Sequence, residues 1–102
     1  MLELRPNCEL CDVDLPPHAT NARICTYECT FCADCVDGVL LDVCPNCGGG
    51  FAPRPVRAAR AWRAGTGLGN HPASTVRVHP EQSPESIAEL TARLKDTPPA
   101  DR

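Results

Sequence analysis

Large side chains are scarce in this chain, whose 102 residues include one Trp, one Tyr and two Phe. A core built from so little is small, and a folding unit below roughly 70 residues usually needs a covalent or metal staple. No apolar run approaches the length of a transmembrane span, which predicts a soluble protein with no membrane partner. Nor does a run of signal-peptide length precede the first cysteine, so the expected compartment is the reducing cytoplasm. An excess of positive charge is also missing. The formal net charge is −3, and residues 1–51 hold two Arg against eight Asp and Glu, a local excess of acid that repels phosphate. Cysteine is absent from everything after residue 47.

Up to that point there are eight: Cys8, Cys11, Cys25, Cys29, Cys32, Cys35, Cys44 and Cys47. Their count and close pairing are those of two four-thiolate sites for Zn2+ ions. A C-x2-C pair brings two thiolates within reach of one tetrahedral ion, and Gly48, Gly49 and Gly50 suit a tight turn after the last pair. Iron takes the same four-sulfur tetrahedron and is the rival metal. Four disulfides would require an oxidising compartment that the amino-terminal sequence does not suggest. A structural zinc ion contributes on the order of 10 kcal/mol of apparent folding free energy, so metal loss is expected to unfold the module.

Cys8-Glu9-Leu10-Cys11 reads as a first metal knuckle, followed by a polar loop over residues 12–24 with Pro16 and Pro17 at its centre. From Ile24 to Phe31, residues of Ile, Thr, Tyr and Phe type favour a short two-stranded ribbon that delivers Cys25, Cys29 and Cys32. Val36 to Leu41 suits about two helical turns, with Asp34 favourable near the amino end and Gly38 weakening the middle. Val36, Val39 and Leu40 are expected to cover the metal shell with Leu10, Ile24, Tyr27 and Phe31. Cys44-Pro45-Asn46-Cys47 closes the module as a second knuckle.

The order C-x2-C, thirteen residues, C-x3-C-x2-C-x2-C, eight residues, C-P-x-C resembles the RING finger pattern, with Cys29 where that pattern usually has histidine. Glu28-Cys29-Thr30-Phe31-Cys32 is similar to the stretch around that histidine, and Leu10 and Pro45 fall where RING domains carry an apolar residue and a proline. The resemblance implies a small metal-stabilised α+β fold of treble-clef type. In its cross-brace Cys8, Cys11, Cys32 and Cys35 bind one zinc ion while Cys25, Cys29, Cys44 and Cys47 bind the other. Spacing by itself equally permits sequential sites, Cys8 to Cys29 and Cys32 to Cys47. Over about residues 1–57 the chain is also similar to a family of small bacterial proteins known as domain of unknown function 1272. The residues that carry this are Met1-Leu2-Glu3-Leu4-Arg5-Pro6-Asn7-Cys8, Leu15-Pro16-Pro17, Ile24 to Cys35 and Cys44 to Gly49. RING ligases recruit a ubiquitin-carrying enzyme through a shallow apolar groove beside both ions, to which Leu10 and Pro45 would contribute. Ligase activity is not expected here, because Gly48 stands where active ligases often place a cation and the stretch between the knuckles has no Trp. The groove is expected to hold some other protein, by fold analogy.

No enzyme is expected. A catalytic zinc keeps an open coordination position, whereas eight cysteines for two ions leave none. His18, His71 and His79 read as ordinary exposed histidines. A thiol redox or zinc-sensing role is an alternative, since C-x2-C is also a redox spacing.

The second half changes character. Arg54, Arg57, Arg60 and Arg63 recur at threes with no acid between residues 52 and 70, forming a basic connector over 52–64. Val56 to Ala64 is expected to support a short helix, with Trp62 packing back on the module. This Arg54–Arg63 patch carries the other alternative, a nucleic-acid-associated regulatory zinc protein. Residues 65–82 read as linker, with Thr75 to His79 briefly extended. Ser83 as cap and Pro84 at the first helical position open a helix over 83–96 with Ile87, Leu90 and Leu94 as its apolar stripe. Residues 97–102 read as a disordered tail. The overall expectation is a two-zinc RING-like module over 1–51, with a short ribbon and helix, and a mostly irregular C-terminal extension. Its expected role is structural or protein-binding, with an unknown protein partner.

Overall fold

The computed structural model describes all residues from Met1 to Arg102. Strands β1 (Ala22–Ile24) and β2 (Thr30–Cys32) pair antiparallel with Arg23 opposite Phe31, a ribbon of the kind their β-branched and aromatic residues favour. A third strand, β3 (Ala52–Pro53), pairs with the other edge of β1, giving the order β2-β1-β3. Proline is tolerated there because an edge strand leaves one row of N–H positions unpaired.

Directly after β2 the chain turns helical as α1 (Ala33–Cys35) and widens into a π-turn over Val36–Leu40, which Leu41 ends in the left-handed region at φ 49°. Val36, Leu40 and Phe31 are buried as expected, and the Phe31 ring meets Phe51 edge to face with centroids 5.4 Å apart. Leu10 and Ile24 are half-buried. Tyr27 and Val39 depart from expectation, being 73% and 53% exposed. Tyr27 lies in the turn between β1 and β2, and Val39 on the outer side of the π-turn.

The C-terminal half wraps the cysteine-rich half without building a second core. Helix α2 (Pro84–Leu94) is capped by the Ser83 hydroxyl, which accepts from Ser86 N at 3.1 Å, with Pro84 in its first turn. It docks on the π-turn and sends Ile87, 5% exposed, into the same core cluster as Phe31, Leu40 and the thiols. Leu10 and Val39 line one flank of α2, and Pro45 lies beside its other flank near Leu90. Where the RING resemblance implied a groove, Pro45 is buried, while half-buried Leu10 and exposed Val39 line an open cleft of about 460 Å³ against the chain's own helix.

Three expectations for this half are corrected. No helix forms over Val56–Ala64. An isolated helix of that length is marginal in water, and the irregular path lets Arg54 and Arg57 reach backbone carbonyls of the amino-terminal segment. Trp62 does not pack back on the module; it is 72% exposed. Residues 97–102 are ordered, with a 3-10 turn over Pro99–Asp101 and the Arg102 guanidinium donating to the carbonyls of Thr97, Asp42 and Gly48 at 2.9 Å each. No helix of the fold is long and apolar enough to cross a membrane.

Candidate metal centre

The two knuckles share one backbone design. At the first, Asp12 N donates to Cys8 O and Cys8 N to Val13 O; at the second, Gly48 N donates to Cys44 O and Cys44 N to Gly49 O, all at 2.8 or 2.9 Å. Each turn needs left-handed backbone just past its second cysteine, supplied by Asp12 at φ 67° and Gly48 at φ 78°. Asp tolerates that region better than most side chains, and Gly without strain. The same turns aim backbone N–H groups at sulfur: Cys11 N at Cys8 Sγ (3.5 Å) and Gly49 N at Cys47 Sγ (3.4 Å). Tyr27 N does the same for Cys25 Sγ at 3.3 Å. Donors of this kind favour the thiolate form.

The fold gathers the sulfurs into two groups. Sγ atoms of Cys8, Cys11, Cys32 and Cys35 all lie within 4.8 Å of one another, and those of Cys25, Cys44 and Cys47 form the second set. The groups interleave along the chain, since the first draws thiols from both sides of Cys25. A metal bound tetrahedrally at about 2.3 Å from sulfur requires sulfurs about 3.8 Å apart. Cys11 Sγ and Cys32 Sγ are 3.8 Å apart. Both groups are capable of coordinating a metal ion. Cys29 stands outside the tight second set, and lines a shallow cleft together with Tyr27, Asn46 and Cys47. None of His18, His71 and His79 joins either group.

Burial pushes the thiols of Cys29, Cys32, Cys35 and Cys44 up, with neighbouring thiols adding to the rise. At Cys11 burial also works upward but is outweighed by hydrogen bonding from the Val13 backbone and the thiols of Cys8, Cys35 and Cys32, so its value falls. Packed thiols resist ionising together; a bound cation reverses that preference.

Residues 1–57 match the family described as protein of unknown function (DUF1272). The chain belongs to the DUF1272 family. It is 53% identical over 90 residues to an uncharacterized protein of Rhizobium meliloti (strain 1021), a likeness covering 86% of this chain and 100% of that one. No solved structure matches it. The DUF1272 match spans all eight cysteines and β1 to β3, and the Rhizobium likeness continues beyond it.

Several residues around the centre carry no recognisable sequence signal. Buried Glu9 accepts from Arg5 Nη1 at 2.8 Å and from Thr30 N, tying the first knuckle to β2. Burial lowers the Arg5 pKa, but the hydrogen bond and charge of Glu9, with the charge of Glu3 adding to them, leave it raised. Fully buried Asn7 donates from Nδ2 to Val78 O at 2.8 Å and accepts from Val78 N at 3.1 Å, which straps the segment around Val78 against the first knuckle. Arg77 completes the strap, its Nε and Nη1 meeting Asp12 and Asp14 carboxylates at 2.9 and 2.7 Å. The segment read as linker is thus docked.

Of the four connector arginines, Arg54 is 4% exposed and donates to the carbonyls of Arg5, Leu15 and Pro16 at 2.8, 3.1 and 2.9 Å. Arg57 donates to His71 O and Leu2 O at 2.8 and 2.7 Å. The two are occupied holding the fold, which leaves Arg60 and Arg63 facing water. The four do not form one free basic patch.

Proposed function

We propose that the chain is a non-catalytic zinc module of RING-like cross-brace type whose role is structural or protein-binding. Cys8, Cys11, Cys32 and Cys35 hold one zinc ion, and Cys25, Cys29, Cys44 and Cys47 hold the other. The observation that carries the reading is the interleaving of the two sulfur groups, with the 3.8 Å separation of Cys11 Sγ and Cys32 Sγ fitting a tetrathiolate site. Each ion supplies positive charge that lets buried thiols stay ionised and closes loops spanning the module. Four thiolates complete each ion's coordination, so the ions organise the fold and no position is left for water or substrate.

Elemental analysis combined with native mass spectrometry, on protein purified without added metal, tests this. Two zinc ions per chain are expected. Iron, or metal-free protein with disulfides, would overturn the reading.

One observation favours a second reading for the second site. Each site has one exposed thiol, Cys11 in the first and Cys47 in the second, but only the second has a cysteine, Cys29, outside its tight set, so this site is the one from which a thiol would be released to oxidants or competing metals. In that zinc-sensing reading a thiol-specific dye reacts with Cys47 before any cysteine of the first site, and one zinc leaves as it does. Simultaneous reaction at both sites argues against it.

A further inference from the structure

The loop that follows Arg54 and Arg57 is ordered and closed. Leu68 N donates to Ala58 O at 3.0 Å, and the Thr66 hydroxyl donates to Arg63 O at 2.7 Å. Asn70 Nδ2 donates to Thr66 O at 2.8 Å. Gly67, at φ 85°, packs so closely on the Arg60 carbonyl that a Cβ there would sit 2.7 Å from its oxygen. At the base, Arg57 clamps His71 O to Leu2 O. These contacts fix the backbone that holds Arg60, Trp62 and Arg63 out in water. Neither Arg60 nor Arg63 has a carboxylate partner, although the chain as a whole is acidic. Beside the loop's base lies an open cleft of about 240 Å³ lined by Met1, Leu2, Leu4, Pro55, Val56 and Arg57.

Single exposed apolar residues are ordinary on protein surfaces. Here, however, the only Trp of the chain is presented on a braced loop between two guanidinium groups that lack carboxylate partners, on a segment whose base at Arg57 lines an apolar cleft. Trp and Arg are enriched among the few residues that dominate the energy of protein interfaces, and a fixed backbone reduces the ordering cost of binding. A single-stranded nucleic acid would need a basic groove tracking several phosphates, and two of the four candidate arginines are already committed to carbonyls.

We propose that the Arg60–Trp62–Arg63 loop and the apolar cleft at its base form a docking surface for an acidic protein segment bearing apolar residues. Carboxylates of that segment pair with Arg60 and Arg63 while one apolar side chain packs on Trp62 and another enters the cleft. The inference deepens the protein-binding reading above by naming the partner's chemistry, and it rests on that reading.

The experiment uses the metal-loaded full chain and a random peptide library displayed on phage, followed by synthetic versions of the enriched peptides. Trp62, as the only Trp, reports occupancy of the surface by its own fluorescence. Expected are peptides with Asp or Glu flanking apolar residues that shift Trp62 emission to shorter wavelength and bind R60E/R63E at least about tenfold more weakly. That double variant keeps the reporter and replaces two exposed side chains, and its metal content and thermal midpoint should match the parent. The proposal is overturned if no peptide is enriched, or if enriched peptides bind R60E/R63E equally. An emission shift produced only by an oligothymidylate, or only by raising the protein concentration, would replace it with nucleic-acid binding or self-association. Metal content separates the two failures, since loss of the loop's role leaves two zinc ions per chain in place.

Discussion

Arg54 illustrates how a charged residue can serve the fold and not a ligand. Its guanidinium is buried with no carboxylate beside it, burial lowers its pKa, and Nε finds no partner. Three carbonyls on the amino-terminal segment depend on it nonetheless. Replacing it with Met removes a desolvated charge, which is favourable, and orphans those carbonyls, which is not. The second effect is larger, so Arg54→Met should lower unfolding free energy by about 2 kcal/mol, while Arg60→Met stays within about 0.5 kcal/mol. Urea denaturation of the two variants checks this; equal midpoints would contradict it. Nothing in the recurrence of arginine at threes separates the two residues. Their difference lies in carbonyls 38 to 49 positions away, and a backbone carbonyl leaves no mark in sequence. The pairing of Asn7 with Val78 is hidden for the same reason.

Elements whose signals are local were legible. The ribbon announced itself through Ile24, Thr30 and Phe31, although β1 begins at Ala22, inside the stretch expected to be loop, and Cys25 and Cys29 fall in the connection between the strands; α2 announced itself through Ser83, Pro84 and the Ile87 stripe. Local signals failed where a long-range contact decided the outcome, as in the loop around Trp62 and the tail held by Arg102. The second turn after β2, helical by its residue types, is widened into a π-turn, a difference in hydrogen-bond register that residue types scarcely encode. The stripe of Ile87, Leu90 and Leu94 suits docking on the zinc module or self-association alike, since an amphipathic stripe does not say what it faces, and the fold docks it on the module. Because Ile87 enters the core beside the thiols, Ile87→Ala should cost about 3 kcal/mol. Thermal or urea unfolding measures this, and a change below about 0.5 kcal/mol would mean that α2 is peripheral to stability.

At the scale of the molecule, two halves of opposite charge embrace. Residues 1–51 carry the acid excess, whereas residues 52–102 hold eight basic against five acidic side chains. Their contacts run along an elongated body of 45 × 26 × 19 Å through the Arg77 pairs, the Asn7 strap, Ile87 and Arg102. The surface that receives these groups is built on knuckle turns, so its shape depends on whatever holds the cysteines together. Removing metal with a chelator should therefore raise amide exchange around Val78 and throughout α2 along with the knuckles. Persistent protection of α2 would show that the extension folds independently. All eight cysteines were legible as metal-binding candidates from their spacing, yet their grouping was not, since both interleaved and sequential pairings satisfy it. The most direct test replaces the native metal with cadmium-113 and correlates each ion by NMR with the β-protons of its cysteines. The account predicts one ion coupled to Cys8, Cys11, Cys32 and Cys35 and a second coupled to Cys25, Cys29, Cys44 and Cys47. Coupling of one ion to Cys8, Cys11, Cys25 and Cys29, or a single bound ion, would contradict it.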